Sequence, residues 1–141
     1  MRLVVTTPTE IALDENAVRY VRAEDASGSF GVEPRHADLL TTLAICVVRW
    51  RDSSDRERYV AVRGGVLRVR NGNLVEIATR EAVVADDLAR LQGQVLSTMT
   101  KNLEAEQSAR AGALRLEHAV IRHIYRYLRP AEQPVKTKPQ E

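Results

Sequence analysis

The stretch YVAVRGGVLRVRNGNLVEIAT, Tyr59 to Thr79, decides the fold of the first part of this chain. It reads as strands separated by turn signals. The Asn71-Gly72 pair suits a tight hairpin, because both central residues of such a turn need positive φ. Gly64-Gly65 marks a second break, a bulge or a corner. Upstream, RDSSDRE (Arg51 to Glu57) is a polar turn cluster, and ICVVRWR (Ile45 to Arg51) passes from an apolar run to alternation. AVRYVRA (Ala17 to Ala23) alternates in the same way, and RLVVTT (Arg2 to Thr7) is a β-branched opening strand that ends at Pro8. Short strands at close spacing, with turns between them, predict a sandwich or barrel. This β part is expected to end near Ala82, giving a domain over 1–83.

From Asp86 the period becomes helical. Leu88, Leu91, Val95 and Met99 fall at steps of three and four, flanked by Leu96 and Leu103. Asp86 and Asp87 suit the cap and the positive end of a helix dipole, while Gly93 weakens the helix slightly. A second apolar stripe holds Leu116, Val120, Ile124 and Tyr127, widened by Leu114, Ile121 and Leu128. Opposite it, Arg115, His118, Arg122, Arg126 and Arg129 stay within one narrow sector at about 100° per residue. Pro130 stops the helix. The joining segment EAEQSARAGA (Glu104 to Ala113) carries only Gly112 as a mild breaker, so the two stripes fit either a hairpin or one long helix. The fold class is thus an all-β sandwich followed by a helical part over 84–129. The tail 130–141 has no apolar pattern and reads as disordered.

The totals bound the function. The chain has 141 residues, a net charge of +2, 44% hydrophobic and 28% charged residues. This suits a soluble globular protein and offers no global field for nucleic acid. The one cysteine, Cys46, excludes an internal disulfide and a Cys-rich metal site. In LAICVV it reads as a small core residue. The opening MRLVVTTP lacks the apolar h-region of a signal peptide, and no segment approaches the roughly 20 apolar residues of a membrane span. A cytoplasmic location is expected.

No chemistry motif is complete. There is no G-x-x-x-x-G-K-[ST] phosphate loop, and Gly28-Ser29-Phe30-Gly31 lacks the third glycine of a dinucleotide site. His118 and His123 are five apart rather than four, with no further ligand to complete a zinc set. A serine nucleophile would need His36 as base with Glu33 or Asp38 as orienter. No serine sits in a recognisable elbow, since Ser53 and Ser54 belong to a turn. His36 therefore reads as a loop histidine that bonds the backbone and fixes a turn. No catalytic residue, metal or cofactor is expected.

The segment GSFGVEPRHADLL (Gly28 to Leu40), a later GG-x-L-x-V strand and a C-terminal helical region occur in that order. Together they resemble the epsilon subunit of F-type ATP synthases. The family's loop reads like G-x-F-G-I-L-P-G-H-A-P-L-L, and Gly28, Phe30, Gly31, Pro34, His36, Ala37, Leu39 and Leu40 stand in the matching places. Its S-G-G-F-L-x-V strand matches Arg63-Gly64-Gly65-Val66-Leu67-Arg68-Val69, and the opening strand with Thr7-Pro8 also fits. The likeness spans nearly all of Met1 to Arg129. Arg35 replaces the family's glycine and Asp38 its second proline, and the helical region lacks the usual glycine-containing turn. These departures resemble the alternate, N-type branch.

The resemblance implies a non-catalytic β-sandwich at the foot of a rotor, against gamma and the c-ring, peripheral on the cytoplasmic face of the inner (plasma) membrane. Its docking residues would be Ser29, Phe30, Gly31, Val32, Pro34 and His36. In this family the C-terminal helices can extend toward alpha and beta and block rotation in the hydrolytic direction. Arg115, His118, Arg122, Arg126 and Arg129 would then meet an acidic surface of beta, where arginine forks pair well with carboxylates. Some members bind ATP through a motif like [IL]-D-x-x-R-A. Here Asp87 and Arg90 keep the D-x-x-R core, but Asp86 and Leu91 replace its flanks, and an extra carboxylate repels phosphate. Capping is the better reading, so nucleotide binding is not expected. Neither nucleic acid nor membrane insertion is implied, and the transported ion is a property of other subunits. Other readings stand beside this one. The basic stripe suits a solvated face, or a helix lying on an anionic membrane. The whole chain suits a stand-alone module for an acidic partner, and His36 keeps a small hydrolase open.

Overall fold

The computed structural model describes residues 1–128. Its strands are β1 (Arg2–Thr6), β2 (Ile11–Glu15), β3 (Tyr20–Asp25), β4 (Gly28–Val32), β5 (Leu39–Arg51), β6 (Glu57–Arg70), β7 (Leu74–Ala78) and β8 (Ala82–Ala85). A short helix α1 (Leu88–Arg90), a π-helical turn (Leu91–Val95) and a long helix α2 (Leu96–Leu128) follow. Met1–Leu103 forms one compact unit, and the chain from Glu104 a second.

The strands run in the order β2-β1-β7-β6-β5-β3-β4, with β8 also on β6. β1 and β7 pair in parallel, and the other neighbours are antiparallel. β5 and β6 are long enough to belong to both layers. One half of β6 pairs with β8 and the other with β7, and the change comes at Gly64 and Gly65 (φ 65° and 118°). The sheet folds back on itself there. Leu3 and Val5 of β1, Val21 of β3, Val48 and Trp50 of β5, and Val75 and Ile77 of β7 thereby enter one buried cluster. That is the sandwich core. It forms because a sheet with one apolar face must bury that face against a second layer.

The hairpin between β6 and β7 has the expected turn. Asn71 and Gly72 take φ 54° and 65°, and Asn73 N–H donates to the Arg70 carbonyl at 3.2 Å. Three strands escape a reading by period alone. β4 lies inside what looks like a loop, β2 exposes Ile11 while burying Leu13, and β8 is only four residues long. β5 begins at Leu39, six residues before the apolar run that announces it.

The first helical stripe packs on the sheet. Leu91 and Met99 are buried with Ala61, and Val95 and Leu96 join Ile45, Val47, Tyr59, Val83 and Ala85 around them. Asp87 caps α1, accepting from Ala89 N at 2.9 Å. Asp86 instead pairs with Arg58, 3.6 Å away. Between the stripes there is no hairpin: α2 runs unbroken for 33 residues. Glu104 to Ala113 is rich in alanine, glutamate and glutamine, which favour continuing helix over a turn. Among the described residues, no helix is long and apolar enough to cross a membrane.

Candidate docking surface

The segment Glu33–Asp38 is a turn held at both ends. His36 N–H donates to the Glu33 carbonyl at 3.1 Å, with Pro34 and Arg35 between them. Arg35 has φ 72°. A proline followed by a residue of positive φ is the signature of a type II turn, whose third place favours glycine. Arg35 thus takes the backbone shape that glycine favours at this place. Arg35 N–H donates to the Gly72 carbonyl at 2.7 Å, and Asn71 N–H donates to Asp38 Oδ1 at 2.8 Å. The turn is so close to the β6–β7 hairpin that a Cβ on Gly72 would stand 2.7 Å from Arg35 Cα. Asp38 is therefore a tether between two turns.

Strain at Arg35 makes a prediction. A side chain in the left-handed region costs roughly 1–2 kcal/mol, part of which glycine gives back through unfolded-chain entropy. Arg35→Gly is expected to raise unfolding stability by about 0.5–1 kcal/mol, measured by urea titration. A loss of stability would mean that the Arg35 side chain supports the turn.

β4 enters this turn from the edge of the sheet. Asp25 fixes the preceding β3–β4 turn, accepting from Ser27 N at 2.8 Å, Ser27 Oγ at 2.6 Å and Thr41 Oγ1 at 3.0 Å. These bonds, those from Ser27 first, hold its carboxyl below the usual carboxylate range. Of the six loop residues singled out in the sequence, Ser29, Gly31 and Pro34 are exposed, while Phe30 and His36 are half-buried. Val32 is fully buried in the core, and Phe30 packs against that core. Their side chains thus support the edge from within. His36 Nδ1 lies 2.7 Å from the Ala37 carbonyl oxygen and donates to it. The imidazole is thus engaged by backbone. Ser54 is held in the Asp52 turn, its N–H donating to Asp52 Oδ1 at 2.8 Å. Among the described residues, no cluster of three or more His, Cys, Asp or Glu could hold a metal.

An adjoining surface was not evident in the sequence. Leu40 pairs with Arg68, Thr42 with Val66, Arg68 with Glu76 and Val4 with Glu76, all on the face turned from the core. Leu40 is 70% exposed and Val66 40%. With Val4, Ile77 and Ala78 they line a shallow apolar groove of about 270 Å³. Arg68 and Arg70 close on Glu76 beside it, at 2.8 and 3.3 Å. The available signal was the Leu39-Leu40 doublet: adjacent strand residues face opposite ways, so one leucine must point outward.

On the second unit, Arg115, His118, Arg122 and Arg126 are exposed on α2. Arg122 Nε donates to the His118 carbonyl at 3.3 Å. Arg129, the tail 130–141 and the Tyr127 and Leu128 side chains lie outside the described residues. Leu114, Leu116, Val120, Ile121 and Ile124 are all more than 40% exposed.

The comparisons agree with this architecture. The family model described as ATP synthase, Delta/Epsilon chain, beta-sandwich domain matches residues 1–85. An ATP synthase epsilon chain 2 from Paraburkholderia xenovorans is 42% identical over 131 residues, 93% of this chain and 94% of that protein. The chain belongs to the epsilon-subunit family of F-type ATP synthases. A second epsilon chain 2, from Cereibacter sphaeroides, is 42% identical over 91% of this chain and 88% of its own length. Two solved structures share the fold. A chain of the Euglena gracilis mitochondrial ATP synthase OSCP/F1/c-ring complex aligns at TM-score 0.57 and 23% identity, over 75% of this chain and 62% of its own. A chain of the Tetrahymena thermophila mitochondrial ATP synthase central stalk and c-ring aligns at 0.52 and 17%, over 73% and 90%.

Proposed function

We propose that this epsilon-family chain is a non-catalytic central-stalk subunit of a rotary ATP synthase, peripheral on the cytoplasmic face of the membrane. The sandwich seats on gamma and the c-ring, and α2 acts as a brake on hydrolysis. The observation that carries the docking reading is the Glu33–Asp38 turn, pinned to the β6–β7 hairpin beside the exposed Leu40–Val66 groove. A foot that transmits torque needs a rigid, preorganised contact, and an exposed apolar patch rimmed by charge is the usual mark of a protein interface. Ser29, Gly31, Pro34 and His36 supply the edge, while Phe30 and Val32 hold it from behind.

The brake reading rests on α2. An amphipathic helix whose apolar stripe is exposed is incomplete until a partner covers it. Its other side offers Arg115, His118, Arg122 and Arg126, continued by Arg129 in sequence, to an acidic surface of beta. The Arg35 and Asp38 departures, with relatives designated epsilon chain 2, favour the N-type branch. Leu40→Asp tests docking. Burial of a leucine contributes about 2 kcal/mol, so affinity for a gamma–c-ring complex is expected to fall at least ~30-fold. The isolated chain should keep its unfolding midpoint. Unchanged binding would place the dock elsewhere.

A further inference from the structure

We propose that the β3–β5 face of the sandwich carries an anion site, in which Arg22 and Arg49 bind a phosphoryl dianion. Val21 and Ala23 point into the core, so Tyr20 and Arg22 point outward. The register sets Arg22 directly opposite Arg49, and Tyr20 opposite Arg51. Like charges directly opposite on neighbouring strands cost stability. Elsewhere on the sandwich most arginines have carboxylate partners, among them Arg2 with Asp14, Arg56 with Asp52, Arg58 with Glu15, and Arg68 with Glu76, and Arg35 stands alone on its turn rather than in a cluster. Arg51 reaches Asp55 at 3.9 Å. The side chains of Arg19, Arg22 and Arg49 have no such partner among the described residues. Unpaired guanidinium groups are thus gathered on one face.

They also line a concavity. A cavity of about 550 Å³ is bounded by Arg19, Tyr20, Arg22, Arg49 and Arg51, within the size range of small-ligand sites. A second, of about 250 Å³, shares Arg22 and Arg49 and ends at Gln92 and Leu96. Guanidinium forks match the oxygens of a phosphoryl group, and two forks meeting on one group satisfy several of its acceptors. Glu33, Asp55 and Glu57 line the larger cavity as well, and Glu24 the smaller one. Asp55 is engaged by Arg51, and the remaining carboxylates oppose an extended polyanion such as nucleic acid more than a compact ligand held between the Arg22 and Arg49 forks. Neither Asp87 nor Arg90 lines either cavity, and the proposal stands independently of the rotor reading.

The phosphoryl group has two sources, free inorganic phosphate or a nucleotide. Both are titrated calorimetrically into the full-length chain at fixed ionic strength, with chloride as the control anion. Saturable binding is expected, at least tenfold weaker in Arg22→Gln/Arg49→Gln and unchanged in Arg68→Gln. Tighter binding of ADP or ATP than of phosphate assigns the nucleotide as source; equal affinity assigns the free ion. The double variant should also melt at a higher temperature than the parent in phosphate-free buffer, because the repulsion is gone. Absence of saturable binding by either probe overturns the proposal. So does undiminished binding in the double variant, or an equal response to chloride.

Discussion

Gly65→Ala is expected to cost the sandwich more than about 3 kcal/mol, enough to threaten a domain whose total stability is of the order of 5–15 kcal/mol. A Cβ at Gly65 would stand 2.1 Å from the Ala78 carbonyl oxygen and 3.0 Å from Thr79 Cα. Both are backbone atoms, so no side chain can swing away. The position also has φ 118°, which carries its own strain of roughly 1–3 kcal/mol for a residue with a Cβ. To relieve the clash, β6 must part from β7 at the place where the chain passes between layers. Gly64 is the internal control. Its φ is 65° and its nearest obstacle is the Leu43 carbonyl oxygen at 3.2 Å, so Gly64→Ala should cost only about 1–2 kcal/mol. Urea unfolding midpoints of the two variants compare them directly. Equal losses would show that β6 does not turn its corner at Gly65.

Trp50→Ala is expected to cost about 3–5 kcal/mol, the usual range for emptying a large aromatic site. Trp50 is fully buried and lies opposite Arg58, whose guanidinium carbon stands 5.4 Å from the ring centroid. Arg58 also pairs with Glu15 of β2 and with Asp86 at the helix entry. Loss of the ring therefore leaves a cavity and removes the surface on which that arginine rests. Trp50→Phe separates the contributions. Trp50 Nε1 is buried and has no hydrogen-bond partner among the described residues, a situation that itself costs stability. Its removal should offset part of the lost contact, leaving a net cost of about 1–2 kcal/mol by unfolding titration. A phenylalanine variant as damaged as the alanine one would show that the indole N–H is satisfied in solution.

What the sequence revealed, and what it hid, follows from how local each signal is. Asn71-Gly72 announced its turn because positive φ at two successive places is a local demand that few residue pairs meet. Leu91, Val95 and Met99 announced a packed helix face because their spacing repeats. Asp87 announced its cap in the same local way. β4 stayed hidden because Gly28, Ser29 and Gly31 weaken any strand pattern, and pairing with β3 overrides that preference. β2 stayed hidden because Ile11 faces solvent while Leu13, two places on, is buried, so its alternation is broken where the register to β1 shifts. The choice between hairpin and single helix rested on Gly112 alone, and one glycine costs a helix only about 1 kcal/mol. At the candidate docking surface, Pro34 and His36 could be found as turn residues. The bonds from Asp38 to Asn71 and from Arg35 to Gly72 join segments over thirty residues apart, and no local pattern encodes such a pairing. The Leu40–Val66 groove and the Arg22–Arg49 apposition have the same origin: they are products of strand register.

The most direct test of the rotor-and-brake account is ATP hydrolysis by the assembled complex, with the full chain and with a chain ending at Leu103. That end point keeps Leu91 and Met99 over Ala61 and leaves the first compact unit whole. An earlier stop after Val84 would strip this cover and confuse loss of brake with loss of fold. The account predicts a several-fold rise in hydrolysis while the complex stays assembled, reproduced in the full chain by Arg115→Glu, Arg122→Glu and Arg126→Glu together. Hydrolysis that stays unchanged in an intact complex would contradict it, and α2 would then have no part in restraining the motor.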